Sequence, residues 1–374
     1  MISFWEKESF IQYDFIVVGS GIVGLTTAIE YKETHPNEKV LIIEKGILPS
    51  GASTKNAGFA CFGSLTEICD DLKNMSSNKV LETVERRYKG LQKLRNRLGD
   101  ANFDFQQWGG YELITEKQEK HIEKIEEINQ LLYPIFNTNV FAIKNEKINA
   151  FGFKKDKVKH LLLNQFEGQI HTGKMMKGLI DIARSMGVEI ITGTEVIDFT
   201  DDGDKVIVNC KNQYQKVDFF TERISICVNA FAQKLLPQLE VYPGRGQVLI
   251  TNPIKNLPFK GTFHMDRGYY YFRNVGNRVL LGGGRNLDYE GETTTTMKTT
   301  TPIIEHLKHL LKEVILPQTP HYIDMKWAGI MAFGDQKAPI VKLLSDRIAI
   351  GVRMGGMGVA IGSEVGKEIN LLLD

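Results

Sequence analysis

Cysteine is scarce in this chain of 374 residues. Cys61, Cys69, Cys210 and Cys227 show no CxxC spacing, which excludes a disulfide scaffold and points to a reduced compartment. No stretch approaches the roughly 18 consecutive apolar residues a membrane-spanning helix needs, so no transmembrane segment is expected. The opening MISFWEKESFIQYD carries acids and no continuous apolar core, unlike a signal peptide. An excess of either charge is also missing: Lys+Arg 46 against Asp+Glu 45 leaves +1, and without a basic field nucleic acid is not an expected partner. His306 and His309 stand three apart on a helical stretch with no third ligand evident, so no metal is expected. There is no internal repeat. The threonine-rich stretch 293–301 reads as a solvated loop. What remains is a cytoplasmic globular protein, with 42% hydrophobic and 24% charged residues, long enough for two domains.

What is present begins at residues 14–44. An apolar run at 15–18 suits a buried strand and ends in Gly19-Ser-Gly21-Ile-Val-Gly24. Ile22, Val23, Leu25, Ala28 and Ile29 then recur at helical spacing. A second apolar run at 40–43 closes on Glu44. Strand, glycine turn, helix and strand, with an acid about 20 residues past the last glycine, form the dinucleotide-binding fingerprint. Gly19 permits the tight turn, Gly21 lets a pyrophosphate approach the backbone, and Gly24 allows close helix–strand packing. The open N–H groups at the helix start face the phosphates, and Glu44 is placed to accept hydrogen bonds from ribose hydroxyls.

Further along, a small-residue loop at 45–59 suits a backbone lying flat against a ligand. One helix is expected over 65–98, a charged helix over 116–132, and a β-rich segment over 134–159. A helix follows Gly168 to about residue 186, then strands near 188–192, 194–199, 205–210, 219–228, 245–251, 268–274 and 278–284, with 274–277 as a turn. A helix spans 303–315. The end repeats the beginning: a strand at 348–352, the turn Gly355-Gly-Met-Gly358, and a helix to residue 373. Two glycine-lined helix starts suit one long cofactor held at both ends. No second GxGxxG lies between a strand and a helix, which argues against a separate nicotinamide domain.

In their order, these motifs resemble the D-amino-acid oxidase superfamily of FAD-dependent oxidoreductases, which includes glycine oxidase, sarcosine oxidase and γ-glutamylputrescine oxidase. The resemblance rests on Gly19/Gly21/Gly24 with Glu44, on Ser53-Thr-Lys-Asn-Ala-Gly58, and on Gly168-Gln-Ile-His-Thr. It continues through Val228-Asn-Ala, Pro243-Gly-Arg-Gly-Gln, Tyr269-Tyr-Tyr-Phe-Arg273 with Gly282-Gly, Trp327-Ala-Gly and Gly355-Gly-Met-Gly358. It implies an α/β fold (α+β overall): a Rossmann-like FAD-binding domain from residues 1–65, 165–240 and 325–374, with an inserted, mostly antiparallel β-sheet substrate domain from 66–164 and 241–324. It places cofactor contacts at Gly19, Gly21, Ile22, Val23, Gly24, Glu44, Lys45, Ser53, Thr54, Asn56, Ala57, Gly58, Val196, Asn229, Ala230, Gly355, Gly356, Met357 and Gly358.

The sequence departs from that family in two places. The amino-acid oxidases carry an Arg shortly after W-x-G that pairs with the substrate carboxylate; here Met331 stands in its place. Thioether sulfur offers soft apolar contact where a guanidinium offers a bidentate pair. That favours an amine or a bulkier substrate, unless Arg285, Arg273 or Arg353 replaces the anchor. The cysteine or histidine that relatives of sarcosine oxidase use to attach flavin covalently has no counterpart either, so FAD is expected to be non-covalent.

The implied reaction is hydride transfer from a carbon next to nitrogen to FAD, followed by imine hydrolysis. O2 or an electron carrier is the acceptor. Tyr269 and Tyr271 share one face of a strand and are expected over the flavin, with Tyr270 and Phe272 on the other face. His264 is the candidate to take up a substrate proton, Trp327 a packing residue at the domain junction, and Cys61 a small buried group near the ring. Two alternatives stay open: a 2-hydroxyacid dehydrogenase resembling L-2-hydroxyglutarate dehydrogenase that passes electrons to a quinone or carrier, and a flavin-binding assembly or RNA-modification module.

Overall fold

The two apolar runs of the fingerprint lie side by side, as strands Gln12–Val18 and Val40–Ile43 in parallel register from Phe15↔Val40 to Val18↔Ile43. Every paired residue of both runs is buried, which fits a parallel sheet covered on both faces. The computed structural model describes residues 2–373. Helix Ile22–Thr34 joins the two strands and is buried on all sides from Ile22 to Lys32. A helix without a solvated stripe needs neighbours all round. The final helix Gly358–Leu373 and helix Thr172–Ser185 pack against it. The final helix comes close because it carries glycines at the contact: a Cβ on Gly366 would stand 2.7 Å from Thr26 Cβ, and one on Gly362 2.8 Å from Ile22 Cγ2.

Two eight-stranded sheets carry the chain. In the first, Ile340–Ser345, Ile348–Val352, Lys216–Ile226, Gln12–Val18, Val40–Ile43 and Glu189–Ile191 lie in that order. All the pairings along this path are parallel except the edge hairpin Ile340–Ser345 with Ile348–Val352. The long strand Lys216–Ile226 serves two partners. Its later half runs parallel to Gln12–Val18, while its beginning pairs antiparallel with Val206–Lys211, which in turn pairs with Glu195–Asp201.

The second sheet runs Ile323–Phe333, Tyr242–Thr251, Arg278–Gly283, Tyr270–Val275, Thr262–Met265, Gly110–Ile114, His160–Asn164, Phe141–Ile143. Its pairings are antiparallel apart from Thr262–Met265 with Gly110–Ile114. This is the mixed α/β architecture with a mostly antiparallel second sheet that the motifs imply. The strand Ile323–Phe333 pairs along its length with Tyr242–Thr251, so the expected boundary at residue 325 falls inside a strand of the second sheet.

Three expected elements differ. The single helix over 65–98 is two, Leu65–Asp71 and Ser77–Leu98, because two serines each start one: Ser64 Oγ caps Glu67 N in a reciprocal capping box, and Ser76 Oγ caps Lys79 N. The charged segment over 116–132 is a 3-10 stretch Glu116–Lys124 continued by helix Ile125–Phe136. The segment 134–159 is not β-rich. It holds one strand, Phe141–Ile143, and the short helix Glu146–Ala150. There Asn129 takes the place of a ladder partner, its side chain bonding Val140 N, Phe141 N and Phe141 O. Strands Thr262–Met265 and Ile340–Ser345 were not expected. The first is a short all-buried run, and the second is a half-exposed edge with no clean alternation.

Candidate active site

The turn after the first strand follows from glycine stereochemistry. Gly19 sits at φ +101°, and a Cβ on Gly24 would stand 1.9 Å from Gly19 O. No side chain fits there, so the helix start is drawn onto the strand end. Ile22 N donates to Ser53 Oγ (3.0 Å), which ties the fingerprint to the loop that follows. Glu44 is held in place: Oε2 accepts from Ser20 N (3.0 Å) and Ser20 Oγ (2.8 Å), and Oε1 accepts from Gly46 N (2.8 Å).

These groups open onto a cavity of about 1400 Å³ lined by both sheets. Its volume exceeds the ~300–1,000 Å³ usual for a drug-sized ligand. Gly19, Gly21, Ile22, Val23, Glu44, Lys45, Ser53, Asn56, Ala57, Val196, Asn229, Gly355, Gly356, Met357 and Gly358 line it, and so do His264, Tyr269, Tyr271 and Arg285. Gly24, Thr54, Gly58 and Ala230 do not, and stand behind the wall as braces. Thr54 Oγ1 donates to Pro49 O (2.6 Å). Gly58, at φ +73°, lies under Arg273, whose Nε donates to Ala57 O (2.5 Å). Ala230 is buried in the core beside the first sheet.

At the far end, Asn229 Oδ1 accepts from Arg353 N and Met354 N (both 3.1 Å), fixing the approach to the last glycine turn. A Cβ on Gly355 would meet nothing within 4 Å, and one on Gly356 would meet only Met331 Sδ at 3.9 Å. Those glycines face open cavity, a cradle that side chains would fill. The cleft therefore fits a long cofactor gripped by backbone at both ends.

Away from the glycine turns the cavity wall is made of side chains. Within the strand the expected alternation holds, with Tyr271 lining the cavity and Tyr270 and Phe272 in the second sheet's core; Tyr269, expected to share the strand face of Tyr271, lies before the strand and packs partly against that core while also lining the cavity. Tyr271 meets Phe59 edge-on (5.5 Å), and burial pushes its phenol up to about 12. Tyr269 lies in the turn before the strand, its phenol hydrogen-bonded to that of Tyr289. Trp327 Nε1 donates to Lys55 O (3.0 Å), bracing the small-residue loop 45–59 from the second sheet.

His264 is buried, with Nε2 3.3 Å from Glu167 Oε2. Glu167 Oε1 in turn accepts from Phe62 N (3.1 Å) and Gly63 N (3.3 Å). Burial pushes the imidazole's pKa down. The carboxylates of Glu167, Glu67 and Glu112 outweigh it and hold His264 up at about 9. At neutral pH the ring is an imidazolium with no lone pair to offer. That form favours giving a proton over the expected role of taking one up from a substrate. Cys61, whose thiol burial keeps well above its usual range, converges on the pair within 4.8 Å.

Of the three arginines considered as carboxylate anchors, two are spent. Arg273 holds Ala57 O, and Arg353 donates to Ala338 O (2.9 Å) and Glu240 O (3.2 Å). Arg285 remains, its guanidinium 4.4 Å over the Phe333 ring. Sequence reading missed Glu167, Tyr289 and Phe333. Glu167 adjoins the Gly168 motif and was one residue from being considered. Tyr289 sits in a polar loop with no period to mark it.

Fold and site together define a two-ended dinucleotide cleft roofed by an antiparallel sheet, the architecture of a flavin-dependent oxidoreductase. The chain belongs to the FAD dependent oxidoreductase (DAO) family, which matches residues 14–370. It is 24% identical over 367 residues to sarcosine oxidase subunit beta of Rhodobacter capsulatus, covering 90% of this chain and 80% of that one. Glycine oxidase of Geobacillus kaustophilus is 25% identical over 286 residues, 72% and 70% of the two chains. The crystal structure of L-proline dehydrogenase from P. horikoshii superposes with a TM-score of 0.78 at 18% identity, over 97% of this chain and 93% of that one. Among the described residues, no helix is long and apolar enough to cross a membrane.

Proposed function

We propose that this FAD-dependent oxidoreductase oxidises a C–N bond of a small amino acid or amine, with FAD bound non-covalently and O2 or an electron carrier as final acceptor. The observation that carries the reading is the single cavity running from the Gly19–Gly24 turn past the Gly355–Gly358 turn to Tyr269, Tyr271 and Arg285. FAD, when bound, supplies the hydride acceptor. The chain's own residues do the rest. The division into a cofactor-holding part and a substrate-holding part follows the two sheets. The backbone of Gly19 and Gly21 and the helix start at Ile22 hold the pyrophosphate. Glu44 holds the ribose, with Lys45 and Val196 flanking the nucleotide. Ser53, Asn56, Ala57, Asn229 and Met357 line the flavin side, with Thr54, Gly58 and Ala230 fixing their backbone. The helix that begins at Gly358 directs its positive end at the cavity, where it stabilises negative charge. Tyr269 and Tyr271 close the substrate space and exclude water.

Sarcosine oxidase and glycine oxidase among the relatives support action on an amine nitrogen. The test is anaerobic reduction of the purified yellow protein by a panel of amino acids, N-methyl amino acids, amines and 2-hydroxy acids. Bleaching of the flavin band by a C–N substrate is expected. Bleaching by 2-hydroxy acids alone replaces this reading with the hydroxyacid dehydrogenase, and bleaching by none leaves a flavin-binding module.

A further inference from the structure

We infer that Arg285 is the substrate's carboxylate receptor, supplied from the turn after strand Arg278–Gly283 where the family pattern has its arginine at position 331, so that the substrate is an amino acid and not a carboxylate-free amine. This rests on the reading above and narrows its substrate class.

The chain builds the position deliberately. Strand Arg278–Gly283 ends in Gly283 (φ +121°) and Gly284 (φ +83°), where L side chains are strained. A Cβ on Gly283 would stand 2.0 Å from Tyr269 O. That turn delivers Arg285 into the cavity. Its guanidinium lies 4.4 Å from the Phe333 ring centre and 5.2 Å from that of Tyr289. Opposite, residue 244 must be glycine, since a Cβ there would come 3.0 Å from Arg285 Nε and 2.4 Å from Phe333 Cε2. Two aromatic faces and a glycine floor fix the plane of the fork.

The cation so held has nothing to pair with. Among the described residues, Arg285 Nε is buried without a hydrogen-bond partner and no carboxylate lies within ion-pair distance. The candidate counter-ion Glu292 is fully engaged elsewhere. Arg245 grips both its oxygens (2.9 and 2.6 Å), and Gln247 Nε2 donates to Oε1 (2.9 Å). Asp288 Oδ1 accepts from Gly291 N (2.8 Å). Of the other cavity arginines, Arg87 Nη1 donates to Phe62 O (2.9 Å) and Arg353 holds backbone carbonyls, while Arg267 is solvent-exposed at the cavity edge, 3.8 Å from Asp266 and over the Tyr269 ring. A partly buried guanidinium without an anion is unfavourable, and a carboxylate relieves it through two parallel N–H···O bonds. The Tyr289 phenol donates to that of Tyr269, which leaves the Tyr269 O–H as one further donor beside the fork. Two residues before Phe333 on the same strand, Met331 lies against Gly246, where a Cβ would meet its Cε at 2.9 Å. That surface is apolar and suits the substrate's side chain.

The test uses the FAD-loaded protein and two probes that cannot be oxidised, propionate and its neutral isostere propionamide, titrated by the change in the flavin absorbance band. Propionate is expected to bind about 10²-fold more tightly than propionamide. Arg285→Met should bring propionate down to the level of propionamide with FAD content unchanged. Arg285→Lys should lose about tenfold, because a point charge replaces a fork. Arg285→Met combined with Met331→Arg should restore propionate binding by supplying the charge from strand Ile323–Phe333. The inference is overturned if wild type does not distinguish the two probes, or if Arg285→Met binds propionate within about twofold of wild type. Failure of the parent reading looks different, because it shows as protein that no C–N compound bleaches. Bleaching by hydroxy acids with the propionate preference intact would keep the receptor and discard the amine chemistry.

Discussion

At the proposed nucleotide end of the cavity the wall is largely backbone, drawn mainly from residues 19–46 with Val196 alongside. Gly19, Gly21 and Gly24 shape a helix start, and Glu44 is clamped by Ser20, 24 residues earlier, and by Gly46. At the substrate end the wall is side chains from segments hundreds of residues apart: Phe59, His264 with Glu167, Tyr269 and Tyr271, Arg285 with Tyr289, and Met331 with Phe333. Backbone recognition needs glycine at fixed spacing and tolerates little else. Side-chain recognition can be rebuilt residue by residue on an unchanged scaffold, as the exchange of an expected arginine for Met331 illustrates. One end is constrained by sterics, while the other can be rebuilt by changing single side chains.

The sharpest way to break this contrast is at Gly24. Valine there places a Cβ 1.9 Å from Gly19 O and 3.1 Å from Val17 Cγ1, so strand and helix must separate. We expect a loss of about 4 kcal/mol or more, read as a collapse of the urea midpoint and of the 450/280 nm absorbance ratio. A yellow protein with an unchanged midpoint would show that the turn is not set by sterics.

Next comes the one place where the substrate end resembles a core. His264, raised to about 9 against a burial effect of opposite sign, contributes stability that is complete below about pH 6.5 and lost as pH rises through 9. The loss is on the order of 3 kcal/mol. Glu112, raised to about 7 by burial, acts in the same direction: what it contributes is present below about pH 4.5 and lost as pH rises through 7. Stability of the FAD-saturated protein should therefore fall steadily from pH 5 to 9. His264→Gln should flatten the limb above pH 7. A wild-type profile already flat between pH 7 and 9 would deny that the imidazolium is held by Glu167, Glu67 and Glu112.

Legibility in the sequence follows the same division. The βαβ unit, its mirror at 348–373 and the tyrosine alternation were readable because each rests on local period or on glycine where no other residue fits. The break between Asp71 and Ser77 was masked by apolar spacing that continues across it, although Ser64 and Ser76 were there to be read as caps. The substrate wall was not readable in the same way. Arg285, Arg273 and Arg353 are equivalent as letters, and only the carbonyls that occupy the last two single out the first. His264 looked like a base because Glu167, nearly one hundred residues earlier, comes beside it only in the fold.

A smaller effect tests whether the Arg285 wall works as a unit. Tyr289→Phe and Tyr269→Phe each remove one member of the phenol pair while leaving the ring, so folding should be untouched. Each is expected to raise KM for amino-acid substrates about fivefold, close to 1 kcal/mol for one hydrogen bond, with little change in kcat. An unchanged KM in both would reduce the pair to packing against the guanidinium.

The smallest expected change in stability carries the closest comparison between the two ends. Gly356 resembles Gly24 in belonging to a glycine turn before a buried helix, but a Cβ on it would meet no protein atom nearer than Met331 Sδ at 3.9 Å. Its φ is also not in the left-handed region, so alanine costs the backbone nothing by strain. Gly356→Ala should therefore leave the urea midpoint of the FAD-free protein within about 0.5 kcal/mol of wild type. If that glycine exists to let the chain lie against the flavin, the added methyl fills the cradle and FAD affinity falls by about tenfold, a cost near 1.4 kcal/mol. Equal FAD affinity would mean that the turn at 355–358 stands back from the cofactor, and that backbone recognition operates only at the nucleotide end.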